Sequence, residues 1–101
     1  MIVAWDQAFN AKWTRKGETK PATYDVHVEF EGPARPFMTD AGPIIAAIGE
    51  LEGKDLKEAA GRSSLESVVL HIKGLVEPRL EPQDKLRRVS VVENGAFRVE
   101  V

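Results

Sequence analysis

An α+β fold is predicted: a four-stranded antiparallel sheet with two helices on one face, in the order ββααββ. Three observations predict it. Tyr24, Val26, Val28 and Phe30 alternate with Asp25, His27, Glu29 and Glu31, the period of a half-buried strand. Two apolar stripes at helical spacing occupy the middle of the chain. Asn94-Gly95, between alternating runs, is the preferred pair for a type I′ hairpin turn.

The elements follow in order. Met1 to about Trp13 carries Ile2, Val3, Trp5, Phe9 and Trp13 and reads as the first strand. Thr14 to Pro21 reads as a polar loop, so the first hairpin is expected to have a long connection. The alternating strand from Tyr24 ends at Gly32-Pro33. Asp40 can cap a helix that starts near Pro43, with Ile44, Ile45, Ile48 and Leu51 at helical spacing and Gly53 where a C-terminal cap would lie. Lys54 to Arg62 is a polar connection with room for one short turn. Ser63-Ser64-Leu65-Glu66 fits a capping box before a second helix, whose stripe is Leu65, Val68, Val69, Ile72, Leu75 and Val76. After Pro78 and Pro82, Leu86–Glu93 and Ala96–Val101 form the second hairpin. No repeat or linker divides residues 1–101, which read as a single domain. Helices on one face leave the other to solvent or a second subunit, and the sheet has edges to protect.

Composition excludes several function classes. The 101 residues hold 14 basic and 16 acidic side chains, two His and no Cys, for a net charge of −2. A basic nucleic-acid footprint is absent. There is no thiolate nucleophile and no Cys-based metal centre, and two His cannot supply a three-His zinc site. No apolar run is long enough to span a bilayer and no signal peptide is evident, so no membrane or nucleic-acid partner is expected and the expected location is cytoplasmic.

Several short motifs in this order resemble the 6-pyruvoyltetrahydropterin synthase and 6-carboxytetrahydropterin synthase family, built on the tunnelling fold (T-fold). Phe9-Asn10-Ala11-Lys12-Trp13 looks like the family's F-S-A-A-H. Lys20-Pro21-Ala22-Thr23-Tyr24 sits where H-G-H-N-Y is usual. Phe37-Met38-Thr39-Asp40 is similar to G-M-V-x-D, and Leu51-Glu52-Gly53-Lys54-Asp55-Leu56 to L-D-H-x-x-L. Ser63-Ser64-Leu65-Glu66 replaces P-T-x-E, and Val89-Ser90-Val91-Val92-Glu93 looks like the final V-x-V-x-E. The resemblance implies a homo-oligomer in which sheets pair between subunits into a barrel, with ligand pockets at subunit interfaces.

The departures are as informative. Trp13, Lys20 and Ala22 stand where the resemblance implies three zinc-binding His, Gly53 where it implies a catalytic His, and no Cys replaces the nucleophile. No metal or other cofactor is therefore expected, and no catalytic residue is assigned. The resemblance makes Glu93 the leading ligand-binding residue. A carboxylate can accept two parallel N–H bonds from the guanidine-like edge of a pterin- or purine-like ring. The alternative is a solvated carboxylate beside a turn. Trp13 can stack on a ring or fill the vacated metal position with apolar bulk. Glu66 is a second ligand-binding candidate, or the helix-capping partner. Lys12, Arg15, Lys16 and Lys20 concentrate positive charge at the first loop; Asp25, His27 and Glu29 share a strand face; His71 lies beside the second helix's stripe, and Trp5 is a further aromatic. The leading expectation is a zinc-free T-fold protein that binds a planar heterocycle through Glu93. The alternatives are a metal-independent pterin- or purine-converting enzyme, with Lys20 or Lys54 moving protons, and a small structural or interaction domain.

Overall fold

A computed structural model describes residues 1–33 and 41–101. Strand β1 (Ile2–Arg15) pairs with β2 (Glu18–Glu31), β2 with β3 (Lys85–Glu93), and β3 with β4 (Phe97–Glu100), all antiparallel in the order β1-β2-β3-β4. Between β2 and β3 run α1 (Gly42–Gly49), α2 (Leu56–Ala60), α3 (Leu65–Val76) and a 3₁₀ turn (Glu77–Arg79). The α+β class and the four-stranded antiparallel sheet are as the sequence predicts. The helix count is corrected from two to three among the described residues. Asp55 accepts a hydrogen bond from the Lys57 amide at 2.9 Å, and Gly61 closes the helix at φ +80°. Those two caps make a short helix of the expected polar connection.

The largest difference lies in the first hairpin. Its strands run fourteen residues each, and the connection is only Lys16-Gly17, with φ of 51° and 78°. Two consecutive left-handed residues are the requirement of a type I′ turn, whose twist matches that of the flanking strands. The polar composition of Thr14 to Pro21 concealed this. These residues alternate between sheet faces and pair in register, Thr14 with Thr19 and Arg15 with Glu18. Pro21 is tolerated because its imino side faces away from β1 at a level that β3, which begins pairing at Tyr24, does not reach. Fourteen residues at a rise of about 3.3 Å span roughly 46 Å, which accounts for the molecule's 49 Å long axis.

One face of the sheet makes the core. Phe9 and Ala11 of β1, Tyr24, Val26 and Val28 of β2, and Val89 and Val91 of β3 pack beneath Ile44, Ile48, Leu56, Val68, Ile72 and Val76. Tyr24 stacks on Phe9 with ring centroids 5.2 Å apart, and Trp5 meets Phe30 edge-on at 6.3 Å. The opposite face carries polar residues: His27 lies 3.0 Å from Asp6 and 3.5 Å from Glu29, and Arg87 bridges Glu29 and Glu31.

The start of α3 differs in detail from the expected capping box. Ser64 is the N-cap, accepting from the Ser67 amide at 3.2 Å, and its hydroxyl also bonds that of Ser67. Glu66 is thereby one position too early to close the box. Ser63 is left free to bond β1 instead. Its hydroxyl accepts from the Thr14 amide at 3.0 Å and donates to the Thr14 carbonyl at 2.6 Å, completing the end of β1 as a neighbouring strand would. Helix α1 begins after Ala41, with Pro43 in its first turn; the expected cap, Asp40, lies outside the described residues. At the second hairpin Asn94 and Gly95 have positive φ as expected, and Ala96 is one further loop residue, so pairing resumes with Phe97 opposite Glu93.

Lys16→Asn places the residue best suited to the left-handed first position of this turn and should raise stability by about 0.5–1 kcal/mol. Urea unfolding measures it; no gain would mean a flexible connection rather than a fixed turn.

Candidate functional site

Along β1 the residues facing the core are Phe9, Ala11, Trp13 and Arg15. A guanidinium at the end of an apolar stripe needs an anionic partner on the same face. On β3 the corresponding stripe is Val89, Val91 and Glu93, and Glu93 is only 5% exposed. The two meet. Arg15 Nη1 donates to Glu93 Oε1 at 2.9 Å and Nη2 to Oε2 at 2.5 Å, a fork-on-fork pair. The other edge of the same guanidinium donates to the Ser63 carbonyl, from Nε at 3.0 Å and Nη2 at 2.7 Å. Four of its five N–H groups are thus used. The cation also stacks over the Trp13 ring, 4.5 Å from its centroid.

This constellation fixes the protonation of its members. The bonds from Arg15 hold the Glu93 carboxyl below the usual carboxylate range, against the opposing effect of burial. Glu93 in turn raises Arg15 further above neutrality. Burial, then the neighbouring carboxylate, push the Tyr24 phenol up, so it stays neutral. Its hydroxyl lies near enough to Glu93 to favour the ionised carboxylate but lacks hydrogen-bond geometry. Among the described residues Tyr24 Oη and Trp13 Nε1 are the buried side-chain polar atoms without a partner.

An open groove of about 540 Å³ runs over the pair, between the start of α3 and the β3–β4 hairpin. Arg15 and Glu93 form its floor, Leu65 and Glu66 one wall, and Phe97, Arg98 and Val99 the other. Its size suits a small organic ligand. Phe97 is 68% exposed and presents a phenyl ring along the groove's open side. The Asn94 side chain anchors this end of β3 to β2, its Oδ1 accepting from the Thr23 amide at 2.9 Å.

Of the three expected ligand-binding residues, Glu93 and Glu66 line this groove, and Trp13 lies against the cation on its floor. Lys20 and Lys54 are not among the lining residues: Lys20 is exposed beside Glu18, and the Lys54 carbonyl accepts from the Lys12 amide on the edge of β1. His27 is on the opposite sheet face, and His71 borders a separate shallow depression with Arg62 and Leu70. The sequence reading missed the centrality of Arg15, Ser63 and Phe97. The signal for Arg15 was parity: it shares the odd-numbered face of Phe9, Ala11 and Trp13 once the strand continues past Trp13.

The sequence matches no protein-family model and no curated protein. The fold does have a solved counterpart. The structure of Caenorhabditis elegans 6-pyruvoyl tetrahydropterin synthase superposes with a TM-score of 0.74, over 100% of this chain and 95% of that one, at 14% sequence identity. The chain thus shares the pyruvoyl-tetrahydropterin-synthase fold. The zinc ion that the sequence resemblance implies does not fit the side chains at the three positions read for it. Trp13 and Lys20 are cross-strand partners and Ala22 follows on the same face, so the three positions are neighbours. They offer an indole, an ammonium and a methyl, none of them a usual zinc ligand. Among the described residues no three His, Asp or Glu side chains converge elsewhere. No described helix is long and apolar enough to cross a membrane.

A native pKa below the unfolded value means the unfolded chain binds more protons, so stability rises with pH through that range. The Glu93 contribution is present above the unfolded carboxylate value of about 4.3 and is lost as pH falls through the lowered native value. Glu93→Gln should therefore flatten the acid limb of a stability–pH curve. At neutral pH it should cost about 2–3 kcal/mol, because it strips the Arg15 cation of its charged partner. An unchanged acid limb would show that the pair is solvated and weak.

Proposed function

We propose that this chain is a zinc-free protein of pyruvoyl-tetrahydropterin-synthase type that binds a planar heterocycle, pterin- or purine-like, with Glu93 receiving the ring's guanidine-like edge. One observation carries the reading. Glu93 is buried, ionised, and oriented so that both oxygens accept from a planar pair of N–H groups, here those of Arg15. A 2-amino-4-oxo ring offers the same two-donor edge. The indole of Trp13, already stacked under a planar cation, can serve a ring in the same way. Glu66 and Phe97 complete the walls. Binding is favoured over conversion because neither Lys20 nor Lys54 lines the groove.

The site is proposed to lie at an interface between copies of the chain. The groove borders β4, the edge of the sheet. Val101 and Val89 exchange backbone hydrogen bonds, so by ladder alternation the backbone groups of Arg98 and Glu100 point outward from that edge. At the opposite edge, the second half of β1 is covered by Glu52, Gly53, Lys54 and Ser63, which take the outward backbone groups of Asn10, Lys12 and Thr14. Its first half, around Ala4, Asp6 and Ala8, has no such cover from the described residues. Pairing of one copy's β1 edge with the next copy's β4 edge would satisfy both and wall the groove beside Phe97.

Two measurements test this. Calorimetry with pterin and guanine analogues should show binding that Glu93→Gln reduces by about a hundredfold or more, the loss of a charge-assisted bidentate pair; unchanged affinity would remove Glu93 as the anchor. Light scattering should show an oligomer that Arg98→Pro, which deletes one outward N–H of β4, shifts toward monomer. A monomeric wild-type protein would remove the interface.

A further inference from the structure

We infer that Arg15 is a displaceable internal occupant of the Glu93 seat, so that a ligand enters by exchange with the protein's own guanidinium. The inference rests on the reading of Glu93 as a ring anchor and adds to it a regulator of that same site.

The geometry makes the two uses of Glu93 exclusive. Both carboxylate oxygens accept from Arg15, and the residue is 5% exposed, so the floor has no second approach for another two-donor edge. The guanidinium is flat, pairs edge-on with Glu93 and has its central carbon over the Trp13 ring. A planar ring in the same seat meets the same carboxylate edge and the same indole face. Arg15 therefore reproduces, inside one chain, the donor pattern of the ligand it excludes.

Exchange also has a route. The Arg15 side chain is 30% exposed, whereas that of Glu93 is 7% exposed, so the cation is the member nearer solvent. It sits on the last residue of β1, directly before the Lys16-Gly17 turn. Glu66 lies on the wall of the same groove and already acts electrostatically on Arg15. An expelled guanidinium thus has a second carboxylate within the groove. The bonds to the Ser63 carbonyl are given up on opening, so the start of α3 registers whether the seat holds arginine or ligand.

Seat occupancy acts as a tax on affinity, because the apparent dissociation constant is the intrinsic one divided by the fraction of open protein. The test is calorimetry with pterin as the probe, on wild type, Arg15→Ala, Arg15→Lys and Glu93→Gln, with methylguanidinium as a second ligand. Arg15→Ala should bind pterin about tenfold or more tightly than wild type. Arg15→Lys keeps the cation without the fork; it should fall between them and guards against a poorly folded alanine variant. Methylguanidinium should raise the melting temperature of Arg15→Ala, compete with pterin there, and do neither when Glu93→Gln is added. Equal pterin affinity in wild type, Arg15→Ala and Arg15→Lys, lost in Glu93→Gln, overturns the exchange while leaving Glu93 as the anchor. Absence of pterin binding in every variant overturns the ring-binding reading and the exchange with it.

Discussion

A single guanidinium joins three parts of the chain that are distant in sequence. Arg15 ends β1, Glu93 ends β3, and Ser63 precedes α3; the ion pair alone spans 78 positions. An ionised carboxylate is tolerated at 5% exposure only with a partner that both neutralises it and fills its hydrogen-bonding positions. Much follows from that constraint. The tip of the long hairpin is bound down to the helical layer, α3 starts at a fixed height above the sheet, and the floor of the groove carries a carboxylate of defined orientation.

The same end of the sheet is where the resemblance implies metal coordination. Here it is closed by different physics. Trp13 contributes a broad apolar face, Ala11 and Ala22 pair across the strands with methyl groups small enough to let the helices approach, and the Arg15–Glu93 pair supplies the polar contact. The solved pyruvoyl tetrahydropterin synthase and this chain reach one backbone arrangement at 14% identity. That is expected when the sheet and its covering helices depend on binary pattern rather than on particular residues. Chemistry at the sheet's end can change without disturbing β2, whose buried Tyr24, Val26, Val28 and Phe30 supply the central strand of the core.

The sequence made the scaffold legible wherever its pattern had a strict period. The alternation from Tyr24, the α3 stripe and the Asn94-Gly95 turn all mark real elements. Legibility failed where composition and conformation diverged. Thr14 to Pro21 is polar because, past Arg15, the tip of the long hairpin is exposed, not because it is a loop. The polar connection from Lys54 to Arg62 hid a helix, because five residues give too short an apolar period to announce it. Glu93 stood out through a motif, and its partner did not, since nothing local links Arg15 to a residue on another hairpin. Ser64 and Ser67 cap α3 in the position expected for Ser63 and Glu66, because Ser63 is engaged with β1.

The two-residue turn at Lys16-Gly17 also sets where the chain tolerates a change of length. A residue added there must be absorbed as a bulge or must slip the pairing by one place. Because side chains alternate between faces, a slip carries Trp13 and Arg15 together to the opposite side of the sheet. Between β2 and β3 the situation reverses. The β2–β3 register does not depend on a tight turn, because Asn94 grips both backbone groups of Thr23, and residues added in the flexible turns between the helices cost only about 0.6 kcal/mol for each doubling of such a loop. Insertions and deletions are therefore filtered very unevenly: the turns between the helices can vary in length, while the Lys16-Gly17 turn admits almost none without erasing the groove floor.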